Sequence, residues 1–223
     1  MPDTGDSFIR QRAELVRELQ RRGIEDEALL NAFGSVPREL FVPPSYRAEA
    51  YRDGPLPLPA GQTISQPYVV ALMIELLRLR PEDRVLEIGT GSGYAAALLG
   101  RMVTETVHTV ERHAELAEYA RRRLARLGLD NVRVHHSDGT LGWPPAAPYD
   151  AIIVAAGGPD VPRALQEQLA RGGRLVMPVG EQRGQMLVRV TRDRRGRLHR
   201  KRITPVRFVP LIGAEGWLED TES

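Results

Sequence analysis

The amino-acid sequence predicts an α/β protein whose sheet is doubly wound and mostly parallel. The central and C-terminal parts alternate short apolar segments with segments in which apolar residues recur every three to four positions. The first of these apolar segments runs directly into a turn that contains three glycines. The last two lie closer together than the others, which is typical of an antiparallel hairpin. This alternation indicates a parallel sheet covered by helices on both faces.

Residues 1–66 are predicted to form a helical and loop cap. Apolar residues near a helical period predict a first helix, and Asp26 is placed to cap a second helix that Pro37 would end. The apolar positions of the two helices are Phe8, Leu15, Val16, Leu19, Leu29, Leu30 and Phe33. Between residues 36 and 67, proline and glycine are too frequent for a helix or a strand. Apolar anchors such as Phe41 in this segment predict an ordered loop packed on the domain.

Residues 67–223 are predicted to form the core and to include a hairpin at the sheet edge. Pro67 suits the first turn of a helix, and the apolar segment that continues to Leu79 predicts that this helix is buried. Strands are predicted at Arg84–Ile88, Val107–Glu111, Val132–His136, Tyr149–Ala155 and Arg174–Val179. Helices are predicted to start near Tyr94, Arg112 and Val161, the second of them ending at Gly128. The hairpin strands are predicted at Gln185–Thr191 and His199–Val206.

Composition excludes several classes of protein. A chain of 223 residues suits one domain, or one domain with an added lobe. It shows neither an apolar run near the ~20 residues that span a bilayer nor a secretion signal at its start, so we expect a cytoplasmic protein without a membrane partner. The absence of cysteine excludes disulfides, thiolate metal sites and cysteine nucleophiles. The net charge is +2, and the basic stretch at residues 192–202 lacks stacking aromatics, so we expect no nucleic-acid partner.

The sharpest local signal is the glycine turn after the first predicted strand of the core. Gly89, Gly91 and Gly93 have the spacing G-x-G-x-G, and Tyr94 stands where a dinucleotide-binding turn would have its third glycine. Glycines in such a turn let a ligand approach the main chain closely at the start of a helix. The spacing therefore disfavours a dinucleotide, but the turn is still predicted to bind a ligand.

Acidic residues follow the next two strands. Glu111 ends the second strand, where it could accept hydrogen bonds from both hydroxyls of a ribose or could instead complement the dipole of the following helix. Asp138 and Gly139 follow the third strand, where the carboxylate could accept from the amino group of adenine, although Asp-Gly is also an ordinary turn pair. The combination of glycine turn, Glu111 and Asp138 predicts a nucleoside-binding site at the carboxyl ends of the strands.

Two further segments, Gly61–Pro67 and Val206–Leu211, add motifs to the predicted nucleoside-binding site. With them, the chain resembles the protein-L-isoaspartate O-methyltransferase family of class I S-adenosylmethionine methyltransferases, and these two segments make the resemblance specific. The other matching segments are Val36–Pro43, Tyr51–Pro57, Leu86–Tyr94, Asp138–Gly139, Ala147–Val154 and Gly172–Leu175, so the match extends over most of the chain. Two departures are Ser137, where the family commonly has glycine, and Ala155–Gly158, which replaces the more usual Thr-Ala-Ala. The second departure leaves the range of accepted peptides open.

The resemblance implies a Rossmann-like enzyme that moves a methyl group from S-adenosylmethionine to the free α-carboxylate of L-isoaspartyl residues in damaged proteins and peptides. It implies that Ser65 is the catalytic or substrate-positioning residue, whereas spacing alone would favour a helix cap at this serine. The residues that it places around S-adenosylmethionine are Thr63, Glu87, Gly89, Thr90, Gly91, Gly93, Glu111, Asp138 and Gly139. A monomer is expected.

An ordinary carboxyl group, with a pKa of about 4, is already ionised at neutral pH, so we expect the enzyme to work mainly by positioning. Two alternatives are a methyltransferase for another carboxylate, such as an aspartate in a modified peptide precursor, and a binding module that has lost transfer. A dehydrogenase is disfavoured by the glycine spacing and by Tyr94. No metal is predicted, because His135 and His136 are strand neighbours that point to opposite faces and the other histidines lack ligand spacing.

Overall fold

The two predicted N-terminal helices are present in the computed structural model, which describes residues 4–181 and 184–219. Helix α1 covers Thr4–Arg21 and helix α2 covers Glu27–Ser35. The side chain of Asp26 accepts a hydrogen bond from Leu29 N at 3.0 Å and caps α2, as predicted. Both helices bury their apolar faces in the core, at Leu15, Leu19, Leu29, Leu30 and Phe33.

The long segment after α2 is an ordered loop packed on the domain, which confirms the prediction from its apolar anchors. Its regular parts are two short 3₁₀ turns, Arg38–Leu40 and Pro44–Glu49, and an antiparallel pair of strands, β1 at Leu56–Pro57 and β2 at Thr63–Ile64. Phe41, Leu56 and Leu58 are buried, and they attach the loop to the core. The loop thereby positions β2 next to the predicted site.

Helix α3, Pro67–Leu77, begins at the predicted proline and buries most of its surface. Its first free N–H group is capped from the loop, because Asp53 Oδ1 accepts a hydrogen bond from Tyr68 N at 3.1 Å. Asp53 Oδ2 accepts from Gln66 Nε2 at 2.7 Å and pairs with Arg22. Burial acts to raise the pKa of Asp53, but these hydrogen bonds outweigh it and lower the pKa. The cap therefore comes from a residue distant in sequence, not from Ser65.

The core is a seven-stranded sheet. Its strands are β3 (Val85–Ile88), β4 (Val107–Glu111), β5 (Val132–His136), β6 (Tyr149–Val154), β7 (Leu169–Glu181), β8 (Gly184–Arg192) and β9 (Leu198–Val206). The spatial order is β5-β4-β3-β6-β7-β8-β9. The first five strands are parallel, whereas β8 and β9 form an antiparallel hairpin at the edge, as predicted. Strand β7 starts earlier than predicted because Leu169 already pairs with Tyr149, ahead of a register shift.

Helices cover both faces of this sheet. Helix α4 covers Tyr94–Met102, α5 covers Ala114–Arg126 and α6 covers Arg163–Gln168. Helix α5 ends before Gly128, which has φ +64°. Consecutive residues of β3 enter different apolar clusters, Val85 on one face and Leu86 on the other. The doubly wound fold is thus confirmed, and none of the described helices is long and apolar enough to cross a membrane.

Candidate active site

A cavity lies at the carboxyl ends of β3, β4 and β6, where the sequence predicts the site. Its walls include the glycine turn after β3, the end of β4, strand β2 with the residues that follow it, and the segment after β9. Helix α3, the end of β6 and Gly139 after β5 also contribute to the lining. The predicted site residues that line it are Thr63, Ser65, Glu87, Gly89, Gly91, Glu111 and Gly139. Adjacent parallel strands end at the same edge of a sheet, so residues far apart in sequence meet there.

The glycine turn needs glycine for its backbone conformation. Gly89, Gly91 and Gly93 have φ values of +89°, +53° and +87°, in the left-handed region that other residues rarely adopt. A Cβ atom on Gly93 would also lie 3.1 Å from the Cβ of Ala120 in α5. Gly93 therefore supports close packing of α4 on α5, whereas Gly89 and Gly91 form part of the cavity wall.

Glu111 joins the glycine turn to the start of α5. Its Oε2 accepts a hydrogen bond from Gly91 N at 2.8 Å, and its Oε1 accepts from His113 N at 2.9 Å. Each carboxylate oxygen can accept more than one hydrogen bond, so both oxygens keep capacity for a ligand in the cavity. The two interpretations of Glu111 from the sequence are therefore compatible: it holds the helix start and also presents a carboxylate to the cavity.

Glu87 is a buried carboxylate in the cavity wall, 1% exposed. Its Oε2 accepts a hydrogen bond from the hydroxyl of Thr109, which in turn is hydrogen-bonded to the hydroxyl of Thr90. Its Oε1 has no hydrogen-bond partner in the described part of the chain. Burial raises the pKa of Glu87 to about 8, the hydrogen bond from Thr109 lowers it, and the neighbouring Glu111 raises it. Once ionised, a buried carboxylate oxygen of this kind suits a cationic donor from a ligand.

Asp138 lies beside the cavity and uses its carboxylate within the protein. Its Oδ1 accepts from the N–H and the hydroxyl of Thr140, at 2.8 and 2.7 Å, and its Oδ2 accepts from Ala214 N at 2.8 Å. Within the described residues the cavity lining includes Gly139 but not Asp138. The geometry thus favours a role in holding the C-terminal part of the chain, and contact with adenine stays a prediction.

Ser65 follows β2 and faces the cavity with a hydroxyl that makes no hydrogen bond to any other described residue. The N-cap residue of α3 is Gln66, and its side chain makes no capping bond either. The main chain of Ser65 is held by Arg38, whose Nη2 donates to the Ser65 carbonyl at 2.9 Å. Thr63 lies two residues earlier on the same wall. The capping alternative for Ser65 therefore has no support in the structure.

The remaining wall comes from residues 207–219, which we call the C-terminal strap. Phe208, Val209, Pro210, Leu211 and Ile212 line the cavity. The strap is fastened to the sheet because Leu211 N donates to Gly157 O at 2.8 Å and Gly157 N donates to Val209 O at 2.8 Å. The sequence pointed to Val206–Leu211 only through the resemblance, since a short apolar segment after the last strand has no local signature of a site.

Two further residues of the site carry no clear signal in the sequence. His113 lines the cavity beside Glu111, and its Nε2 is buried without a hydrogen-bond partner among the described residues. Arg38 reaches the site only through the fold, across 27 residues of sequence. Of the predicted residues, Thr90 and Gly93 support the turn from behind. No group of three or more His, Asp or Glu within residues 4–181 and 184–219 could hold a metal ion.

A mostly parallel sheet, a glycine turn after its first core strand and acids after the next two together define a class I, Rossmann-like methyltransferase that uses S-adenosylmethionine. The orphaned Glu87 oxygen suits the ammonium group of this cofactor, and the Glu111 carboxylate suits its ribose. The residues present therefore fit the cofactor.

Comparison with known proteins identifies the family. The model of the protein-L-isoaspartate(D-aspartate) O-methyltransferase family matches residues 10–216, and the chain belongs to this family. A protein-L-isoaspartate O-methyltransferase of Rhodopseudomonas palustris is 57% identical over 202 residues, which cover 90% of this chain and 92% of the relative. One of Methylorubrum populi is 58% identical over 202 residues, covering 91% and 94%.

Solved structures agree with this family. A structure of a protein-L-isoaspartate O-methyltransferase is 34% identical and superposes with a TM-score of 0.83 over 92% of this chain and 67% of the other. A Plasmodium falciparum structure, described as a candidate member of the same family in complex with S-adenosyl-L-homocysteine, is 28% identical with a TM-score of 0.79. The match covers 89% of this chain and 97% of the Plasmodium falciparum chain.

Proposed function

We propose that the chain transfers a methyl group from S-adenosylmethionine to the free α-carboxylate of L-isoaspartyl residues in damaged proteins and peptides. One observation carries the assignment: the free hydroxyl of Ser65 and the orphaned carboxylate oxygen of Glu87 belong to walls of the same cavity. The first suits an anionic acceptor and the second suits a cationic ligand. Membership of the family supports this pairing.

The cofactor end of the cavity is formed by the core. We assign Glu87 to the ammonium group and Glu111 to the ribose hydroxyls, while Gly89 and Gly91 let the ligand lie against the main chain. We assign Gly139, which also lines the cavity, to the adenine. S-adenosylmethionine supplies an electrophilic methyl group on a cationic sulfur.

The acceptor end is formed by the cap and the strap. The predicted cap, residues 1–66, contributes Ser65, and the strap contributes Val209 and Leu211. Thr63, two residues before Ser65 on the same wall, keeps its assignment to the cofactor side. The acceptor carboxylate needs no base because it is ionised at neutral pH. The Ser65 hydroxyl donates a hydrogen bond to one carboxylate oxygen and turns the other toward the methyl group, so that an O–CH₃ bond forms as the S–CH₃ bond breaks.

Apolar residues around the reacting atoms keep water away. Ile64 and Leu211 are buried at the cavity, and Ile153 is buried at its floor. Removal of water weakens the hydration of the carboxylate, and charge is partly cancelled as the anionic oxygen approaches the cationic donor. The chain thus acts by orientation and by exclusion of water. The monomeric state, the cytoplasmic location, the absence of nucleic-acid and membrane partners, and the boundary at residue 66 stay predictions from the sequence.

The test is methyl transfer from labelled S-adenosylmethionine to matched isoaspartyl and aspartyl peptides. We expect label only in the isoaspartyl peptide. Ser65→Ala should strongly reduce the single-turnover rate while the melting temperature and the affinity for S-adenosylhomocysteine change little. Ser35→Ala, which removes a hydroxyl bonded to Ala32 O in α2, is the matched control and should keep the rate. Transfer to both peptides would reject the substrate, and a normal rate in a destabilised Ser65→Ala would reject the role of Ser65.

A further inference from the structure

The side chain of Arg38 is a buried cation that forms no ion pair with another described residue. Its exposed fraction is 0%, and no carboxylate lies within ion-pair distance in the described part of the chain. Burial lowers the pKa of the guanidinium, and the nearby hydroxyls of Tyr94 and Tyr51 and the more distant carboxylate of Asp53 oppose this. An arginine stays protonated even so, and removing such a charge from water carries a large desolvation cost. A residue of this kind needs a reason beyond packing.

The contacts of Arg38 join three segments that are distant in sequence. Its Nε donates to Ala50 O at 2.7 Å and its Nη2 donates to Ser65 O at 2.9 Å. Its guanidinium lies over the ring of Tyr94, 4.7 Å from the centroid. Tyr94 is the first residue of α4, directly after the glycine turn. Arg38 therefore connects the acceptor wall at Ser65 to the helix that carries the cofactor turn.

This geometry requires the fork of a guanidinium. Lysine has a single ammonium on a flexible stem, which cannot lie over the ring of Tyr94 while it also donates to two carbonyls in different directions. Tyr94 is itself fixed by edge-to-face contacts with Phe33 and Phe41, whose ring centroids lie 6.0 and 5.5 Å away. The ring is therefore a rigid reference surface for the guanidinium.

We propose that Arg38 is a positioning residue of the transfer reaction, which sets the main chain of Ser65 relative to the cofactor turn. The inference rests on the proposed role of Ser65. A displacement of the Ser65 segment by about 1 Å would misalign the acceptor oxygen and the methyl group, and errors of this size cost about 100-fold in rate. Arg38 touches neither reactant in this account and acts through Ser65.

The test compares Arg38→Lys and Arg38→Gln with a matched control, Arg174→Lys, in the full chain. Arg174 is likewise buried and donates to main-chain carbonyls, those of Leu77, Arg78 and Asp150, and it also pairs with Asp83. Unlike Arg38, it bonds to no described residue that lines the cavity. The measurements are the thermal melt, the Kd for S-adenosylhomocysteine, and kcat and KM for an isoaspartyl peptide. We expect the Arg38 variants to lose about 10- to 100-fold in kcat/KM per folded molecule. The Kd should stay within about twofold, and Arg174→Lys should lose stability without this kinetic loss.

A double-mutant cycle separates positioning from general destabilisation. In a Ser65→Ala background, Arg38→Lys should cost little further activity, because the group that it positions is gone. Additive losses in the cycle would overturn the proposal, as would an equal weakening of cofactor affinity. Failure of Arg38→Lys to fold while Arg174→Lys folds would also overturn it, since Arg38 would then be a residue of the core. If Ser65→Ala alone is fully active, the proposed function of Ser65 fails first, and a kinetic loss in the Arg38 variants then has another cause.

Discussion

The side-chain amide of Gln185 holds the main chain of Phe208 at two points. Its Oε1 accepts from Phe208 N at 2.7 Å and its Nε2 donates to Phe208 O at 3.2 Å. Gln185 is 3% exposed at the start of β8, and Phe208 begins the cavity-lining part of the strap. The Gln185 side chain thus supplies the two hydrogen bonds that a neighbouring strand would otherwise make with Phe208, at the point where the chain leaves the sheet.

Gln185→Leu should displace this wall of the cavity. The partly buried N–H and C=O of Phe208 would lose these hydrogen bonds, which costs about 1 kcal/mol of stability or more. We also expect a higher KM for the isoaspartyl peptide. Gln168→Leu is the matched control, because Gln168 accepts from Trp143 N and donates to Leu141 O at a place outside the cavity lining. Chemical denaturation and peptide kinetics of both variants test this prediction. An unchanged KM in Gln185→Leu would contradict it.

The affinity for S-adenosylhomocysteine should rise with pH between about 6.5 and 8.5. Without ligand, burial raises the pKa of Glu87 to about 8, so the carboxyl is mostly protonated at neutral pH. An ammonium donor favours the ionised form, and binding must therefore release a proton. Calorimetric titration in buffers of different ionisation enthalpy measures that proton. Glu87→Gln should abolish the pH dependence and weaken binding about 10-fold or more at pH 8.5. Binding without proton release in wild type would reject the assignment.

The carboxyl of Glu87 also makes the stability of the ligand-free protein depend on pH, but stability should fall as pH rises, whereas ligand affinity should increase. The pKa of Glu87 is about 8 in the folded chain against an ordinary 4.5, so the folded state binds more protons between these values. The free energy of unfolding should therefore fall as pH rises from 4.5 to 8. Glu87→Gln should remove this part of the pH dependence, which denaturation curves at several pH values can measure.

Asp138→Ala should loosen the C-terminal strap. The carboxylate accepts from Ala214 N and from two groups of Thr140, so its loss leaves three donors without their partner. We expect a loss of about 1–3 kcal/mol and faster amide exchange in residues 207–219. Contact with adenine is tested separately: an S-adenosylhomocysteine analogue that lacks the exocyclic amino group should bind wild type more weakly. Equal binding would leave Asp138 only its structural role.

His135 should make the fold less stable in mild acid. Its ring stacks on Trp143 at 3.8 Å between centroids, and its Nε2 lies 2.9 Å from Nδ1 of His108. Burial, together with His108 and Arg121, lowers the pKa of His135 to about 4. The unfolded chain then binds more protons than the folded chain between pH 6.5 and 4, so stability falls as pH falls through this range.

His135→Phe keeps an aromatic ring for stacking and should flatten the dependence of the melting temperature on pH between 4 and 6.5. His136→Phe, at the exposed next position of β5, is the matched control and should leave the dependence in place. The same slope in wild type and His135→Phe would show that other groups cause the acid sensitivity.

Much of the candidate site could be predicted because its signals are local. The glycine turn and Glu111 lie next to strands whose apolar character is evident from a few residues, and the structure brings them to one cavity. Arg38, His113 and Gln185 could not be predicted in this way. Each is an ordinary polar residue in sequence, and its importance arises from burial beside a partner distant along the chain.

The sequence by itself determined the order of helices and strands, the parallel sheet with its edge hairpin, and the turn at Gly89–Gly93, because hydrophobic period and glycine conformation act over neighbouring residues. Only the tertiary structure decided which groups hold the walls of the site together. Spacing suggested that Ser65 caps α3, but Asp53 provides the cap and leaves the Ser65 hydroxyl free. The carboxylate of Asp138 likewise accepts a hydrogen bond from Ala214 N, a contact that the sequence did not predict. The hydrogen-bond partner of each side chain depends on which groups the fold brings within about 3 Å of it. The sequence does not reveal the distance between residues that are far apart along the chain.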